Sequence, residues 1–357
     1  MQASTGLRTL NLAIRSTNGM RSFSAEVHRA PATDAPSPQS LSWSASFKSA
    51  SELAAHLKHL GKTFEAIQLS QGRLTGRFSC TNFNSVIILA ISSNQCLLLN
   101  GDRGPDFMSF CLEASGIADE HKTHTITVPN YSINGFKLNL RESHFQLTAN
   151  TTTYFAITSA NALNTILSPR DAEKLREHFM NCNSAQITPC QHEKLKILLE
   201  SAIKQSTTSF FKRQQIGYLI IKEFLDSCTN SKHITFYPFE LTQRQLLVSN
   251  LIQLGFKRGN EKLHLDDISR LLYCSRRTLI QGTKDAYAMG PMELMKIIRL
   301  EQVNWMLRSE EARSKATLRN VSDIAQHFNF NSRGHFARAY QNLFEESPSQ
   351  TLQENGT

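Results

Sequence analysis

Apolar residues recur at helical spacing through the last third of the chain. Val321, Ile324, Ala325 and Phe328 share one face, and Phe336, Ala339, Tyr340 and Leu343 form the next buried stripe. This predicts two short helices joined by a tight turn, the second stopped by the proline of Ser347-Pro-Ser. Asn320 or Ser322 caps the first helix and Ser332 the second. The turn falls at Asn329, because asparagine is the residue after glycine that best tolerates positive φ. Phe330 then packs back on the core. A weaker copy lies upstream. Leu265, Ile268, Leu271 and Leu272 make an apolar face, with Asp266 and Asp267 in the dipole-favoured first turn. Tyr273-Cys274 is the turn, and Ser275 caps a helix beginning Arg276-Arg277-Thr278-Leu279. Between the copies, Pro291 opens a long periodic segment through Leu294, Ile297, Ile298, Leu300, Val303, Met306 and Leu307.

The front of the chain has a different period. A helix over Ser51–Leu60 is followed by short strand-like runs. The first two, Phe64–Ser70 and Gly72–Cys80, are joined at Gln71-Gly72. Others fall at Ser85–Ile91, Gln95–Leu99, Phe107–Leu112 and His124–Val128, with two more near Phe136–Leu140 and Thr152–Ile157. Short strands between turn signals predict a sandwich or jelly roll. Residues 168–230 then read as helical, with Ser168-Pro as a helix start and apolar faces at Leu195, Leu198, Leu199, Ile203 and at Ile216, Leu219, Ile220, Phe224, Leu225. These faces serve either an internal helical pair packed on the sheets or a dimer interface.

A helix–turn–helix places its second helix in the major groove. Arginine suits bidentate reading of guanine and also grips phosphate. The candidate DNA-contacting residues are therefore Arg276, Arg277, Gln281 and Lys284 on the first such helix, and Ser332, Arg333, His335 and Arg338 on the second. The ordinary alternative for either helix alone is a solvated basic face. The duplication counts against it. A connecting helix of roughly 17 residues spans about 26 Å, and the breadth of the packed units brings two readers near the ~34 Å that separates successive major-groove segments.

From about Phe239 to Leu352 the chain resembles the C-terminal DNA-binding domain of AraC/XylS-type transcription regulators. The resemblance rests on Ser275-Arg-Arg-Thr-Leu, Gly290-Pro-Met with Arg299-Leu, Val321-x-x-Ile-Ala, Phe336-x-x-x-Tyr340 and Ser347-Pro-Ser. It implies a bacterial, sequence-specific regulator, an activator rather than an enzyme, working in the cytoplasm and on the nucleoid when bound. It implies promoter DNA and RNA polymerase as partners. In that family Arg277 and Gln281 on the first helix, and Arg333, His335 and Arg338 on the second, stand where bases are met. The front domain is similar to cupin-like sensor domains, which implies a small-molecule effector whose binding residues the sequence does not identify. Three departures stand out: Thr283 where a buried aromatic is usual, Gly282 inside the first recognition helix, and Glu345 in place of a glycine. They suggest that the second unit discriminates bases more than a less well anchored first unit.

The fold expected is α+β and multidomain: a disordered leader over 1–45, a β-rich cupin-like domain over 46–165, a helical connector and possible dimerisation element over 166–236, and the two-unit DNA-binding domain over 237–357. Net charge is +9, which suits an anionic partner. Residues 261–357, however, hold 13 Lys and Arg against 12 Asp and Glu, so affinity must come from where each cation sits. The seven scattered cysteines show no Cys-x-x-Cys spacing and fit buried thiols in a reducing cytosol; a redox pair at Cys182 and Cys190 is the lesser reading. No apolar run approaches a membrane span. Residues 1–25 carry Arg8, Arg15 and Arg21 and no acid, matching a mitochondrial presequence, a disordered leader or a start at Met20. The rival function is a cupin-type metal-dependent enzyme with an appended helical domain. His121 and His124, taken as an exposed loop beside Glu120 and Lys122, and His56 with His59 on one helix face, both lack a third ligand. Neither cofactor nor metal is expected.

Overall fold

The computed structural model describes residues 42–104, 106–117, 120–205, 209–229 and 233–354. The presequence-like stretch and the Pro31–Ser40 lead-in lie outside the described residues. The front half runs β1 (Ser42–Phe47), α1 (Ala50–His59), β2 (Phe64–Gln68), β3 (Gly76–Asn82), β4 (Val86–Ser93), β5 (Leu97–Asp102), β6 (Phe107–Glu113), β7 (Lys122–Thr123), β8 (Ile126–Thr127), β9 (Ser132–Asn134), β10 (Glu142–Leu147) and β11 (Thr151–Ser159). Then come α2 (Ala162–Ile166), α3 (Pro169–Asn181), β12 (Cys182–Gln186), α4 (Pro189–Ile203), α5 (Phe210–Thr229) and β13 (Thr235–Pro238). The remainder is helical: α6 (Gln243–Lys257), α7 (Leu265–Leu271), α8 (Arg276–Tyr287), α9 (Pro291–Arg308), α10 (Glu310–Lys315), α11 (Val321–His327), α12 (Arg333–Phe344) and α13 (Pro348–Glu354).

Two antiparallel sheets form the front. One is ordered β1-β3-β4-β11-β6-β9-β12-β13 and the other β2-β5-β10-β7-β8. Phe78, Leu89, Ile91, Leu99, Phe145 and Phe155 share a core between them that α1 closes with Leu53 and Leu57. The opposite face of the larger sheet carries Ile88, Phe110 and Leu112, which pack with α2 to α5 through Leu195, Leu199, Ile220 and Phe224. Of the two readings of the connector's apolar faces, the internal helical pair thus accounts for these residues.

Several expectations are corrected. Strand β1 begins inside the stretch assigned to the leader, because Trp43 packs against Phe78 with ring centroids 5.0 Å apart and Phe47 is buried. Gln71-Gly72 does not close a hairpin: β2 and β3 belong to different sheets, so this turn crosses between them. Phe136–Leu140 is a loop, not a strand. The buried Arg103 guanidinium donates to the carbonyls of Gly135 (2.7 Å), Lys137 and Leu140 (2.8 Å), replacing the ladder bonds this segment lacks. The run His124–Val128 is split by a two-residue turn, with φ +49° at His124 and +68° at Thr125, between the paired strands β7 and β8. The connector is not purely helical, since β12 pairs with β9 and β13 and extends the larger sheet.

His121 and His124 are buried rather than exposed. Nε2 of His121 lies 3.6 Å from Cys111 Sγ, and His124 donates from Nε2 to the Glu142 carbonyl at 3.0 Å. Burial pushes both imidazoles down to about 4, so both are neutral at physiological pH. Among the described residues no group of three or more His, Cys, Asp or Glu could hold a metal ion. Among the described residues no helix is long and apolar enough to cross a membrane.

Candidate nucleic-acid interface

The two helix–turn–helix units are built by the same local devices. In the second, Asn320 caps α11 by accepting from the Asp323 amide at 2.9 Å. Asn329 adopts φ +62°, and its side chain donates to the Asn260 carbonyl at 2.7 Å, which fixes the turn. Ser332 caps α12 by accepting from the His335 amide at 3.4 Å. Phe336, Tyr340, Leu343 and Phe344 face the core. The Tyr340 hydroxyl accepts from Asn304 Nδ2 at 2.7 Å and pairs with Thr351 Oγ1, so its burial leaves no polar atom stranded. Opposite that stripe, Ser332, Arg333, His335 and Arg338 are all exposed. Glu345 ends the helix at φ +51°, the conformation that glycine would supply more cheaply.

In the first unit, Tyr273 makes the turn at φ +51° and is 97% exposed. Ser275 caps α8 by accepting from the Thr278 amide at 3.1 Å. Thr283 is fully buried, and its hydroxyl bonds back to the Leu279 carbonyl at 3.1 Å. Gly282 faces α6: a Cβ there would lie 3.1 Å from Arg244 Cγ. Arg276, Arg277, Gln281 and Lys284 are exposed. Their electrostatic surroundings differ. Arg276 pairs with Asp266, and Gln281 donates to Asp285 at 2.6 Å. Among the described residues Arg277, Lys284, Arg333, His335 and Arg338 have no acidic partner.

No local sequence signal marks the contacts that hold these helices to the front half, because they join positions far apart in the chain. The front half grips the C-terminal ends of both exposed helices, through the smaller sheet at α8 and through the turn between β2 and β3 at α12. At α8, Lys122 Nζ donates to the Ala286 carbonyl at 2.9 Å, and the Tyr287 hydroxyl bonds to His144 Nε2. His144 donates in turn from Nδ1 to Asn100 Oδ1 at 2.9 Å, an oxygen that also accepts from Ser249 at 2.7 Å. Desolvation, reinforced by His124, pushes His144 down to about 3, so the ring stays neutral and this donor–acceptor chain holds one direction. At α12, the Gly72 amide donates to the Leu343 carbonyl at 3.0 Å. Arg73 forms ion pairs with Glu346 at 3.6 Å and Glu354 at 3.1 Å. Between the two grips, the Gln68 amide donates to Glu301 Oε1 on α9 at 2.6 Å. The N-terminal halves, which hold every candidate contact but Lys284, stay in solvent.

A helix-turn-helix domain family model matches residues 268–354. The C-terminal region is an AraC-type helix–turn–helix domain. The AraC-type domain matched by the model thus begins within α7 and ends with α13, and it includes both exposed helices. Over 126 residues, 34% of its length, the chain is 30% identical to "Histidine kinase P4" of Formosa agariphila; it spans about 8% of that relative. A probable AraC family transcriptional regulator from Rhodopseudomonas palustris is 25% identical, covering 31% of this chain and 97% of that one, with a TM-score of 0.28. The AraC-like transcriptional activator CuxR is 12% identical over 73% of this chain and 94% of its own, with a TM-score of 0.38. ToxT from Vibrio cholerae is 14% identical over 83% of this chain and 99% of its own, with a TM-score of 0.31. These superpositions are loose, and the family match identifies the AraC-type domain.

Proposed function

We propose that the protein is a transcription regulator, an activator that binds specific promoter DNA with α8 and α12 in two adjacent major-groove segments. The observation that carries this reading is the pair of capped helices whose exposed N-terminal halves present Arg276, Arg277 and Gln281 on one side and Ser332, Arg333, His335 and Arg338 on the other, with Lys284 exposed in the last turn of α8. The connecting helix α9 has 18 residues, about 27 Å at helical rise, which suits the groove repeat. Ser332 would serve by its cap, which aims the helix start at a phosphate. The protein would work in the cytoplasm, on the nucleoid, with RNA polymerase as its protein partner. Genome-wide mapping of bound sites tests the reading: a shared sequence upstream of a set of genes is expected, and occupancy without sequence preference would sink it. Among the described residues of the front domain no feature favours the metal-dependent enzyme.

The space between the two sheets is lined by Leu57, Phe64, Leu89, Leu99, Phe145 and Phe155, with Lys62 and Arg103 adding positive charge. The free space there is only about 40 Å³, so the effector class this lining suits, a small apolar molecule with an anionic group, would have to part the side chains to enter. Such a compound at 100 times its Kd should stabilise the full-length protein by about 2.7 kcal/mol in a thermal-shift assay. No stabilisation across an acid series would count against an effector here. A second copy would be met by α5, where Phe210, Phe211, Tyr218 and Leu219 are exposed in one stretch. Leu219→Glu should then lower the mass seen by sedimentation equilibrium, while a wild type that stays monomeric removes this partner.

A further inference from the structure

Gln281 is the one uncharged member of the exposed set on α8, and its amide is already committed. Its Nε2 donates to Asp285 Oδ1 at 2.6 Å, one helical turn on. The other carboxylate oxygen, Oδ2, accepts from Arg244 Nη1 at 2.8 Å. Arg244 belongs to α6, so its side chain crosses α8 to reach Asp285. Gly282 makes that crossing feasible, because a Cβ there would press on Arg244 Cγ at 3.1 Å. The glycine that looks misplaced inside a recognition helix is what lets the arginine pass.

The chemistry of this chain of contacts fixes an orientation. A carboxylate only accepts, so the Gln281 amide must turn its nitrogen towards Asp285. Where the N–H anti to Oε1 makes this bond, Oε1 and the syn N–H are left side by side for an external partner. An acceptor beside a donor is the complement of the adenine edge, whose N6 amino group donates and whose N7 accepts. Guanine offers only acceptors, N7 and O6, and would leave Oε1 facing another oxygen. Holding a long side chain in this pose before binding also spares the rotamer entropy otherwise lost on contact.

We propose that Asp285 and Arg244 are positioning residues that pre-set Gln281 to read adenine; this rests on the DNA-reading function above. Selection from a randomised duplex library by the full-length protein tests it. The wild type should enrich adenine at one position, and Gln281→Ala identifies that position by losing the preference there. Arg244→Met, which keeps the stem but drops the guanidinium, and Asp285→Ala should each reduce the adenine preference at that position by about threefold to tenfold, part of the roughly tenfold or more a bidentate contact supplies. Preferences at the other positions should persist, and Arg244→Lys should restore the lost one. Removing the Asp285 charge also strengthens binding to every duplex, so relative base preference is the quantity to read. Arg244→Met and Asp285→Ala proteins that melt like wild type yet keep the adenine preference intact would overturn this inference alone, as would selection of a base other than adenine. A wild type that enriches no motif overturns the DNA-reading function with it.

Discussion

Arg338→Ala should weaken binding to a specific duplex by about tenfold to a hundredfold, and Arg277→Ala should weaken it less. The ranking comes from what surrounds each helix. On α8, Asp266 holds Arg276 and Asp285 holds Gln281, so two acids sit beside the exposed candidate surface and would repel phosphate. On α12, Arg333, His335 and Arg338 are exposed and, among the described residues, have no acidic partner. Removing a cation from the face with fewer acids takes away a larger share of the attraction. A mobility-shift titration at fixed salt decides the matter, and a greater loss for Arg277→Ala reverses the order. The sequence suggested the same order for another reason, a poorly anchored first unit. The structure removes that reason, since α6 packs on Gly282 and the front sheet ties down Ala286 and Tyr287.

Glu301→Gln should raise stability above pH 8 and flatten its dependence on pH. Desolvation pushes the Glu301 carboxyl up to about 8, against the lowering effects of the Gln68 amide and the Arg308 charge. An unfolded chain titrates this group near pH 4.5. The folded state therefore binds the proton more tightly, and the stability it contributes is complete below pH 4.5. That stability drains away as pH rises and is gone above about 8. Glutamine stays neutral throughout and still offers an oxygen to the Gln68 amide. The expected gain at pH 9 is on the order of 4 kcal/mol, shrinking to little below pH 5. Denaturant unfolding at pH 5, 7 and 9 measures it; parallel curves for the two proteins would show that Glu301 does not titrate in this window.

Much of the C-terminal half was legible because its signals are local. Caps at Ser275, Asn320 and Ser332, the turn at Asn329 and the buried stripe of Phe336, Tyr340 and Leu343 all lie within a few residues of what they control. The front half was legible as strands but not as sheets. Nothing near Gln71-Gly72 says that β2 and β3 part company, because sheet membership is set by distant pairing partners. His121 and His124 were misplaced for a related reason. Charged neighbours at 120 and 122 suggested solvent, while the positive φ at His124 and Thr125 turns the chain sharply and folds these rings inward. The candidate contacts were named as residue types at helical positions. The acids that modify two of them come from a neighbouring helix and from one turn further along α8.

The apolar cluster that fills the AraC-type region is not drawn from that region alone. Ile67 of β2 and Leu98 of β5 are fully buried within it, beside residues of α6 and α9. A fragment cut near residue 237 would carry a raw apolar scar where those two side chains had been, and a Glu301 carboxyl stripped of its donor. The severed front half would bear the matching wound. Each piece, once separated, becomes a stickier and more loosely folded object than the part it represents, so the intact chain is the smallest unit whose DNA affinity describes this protein.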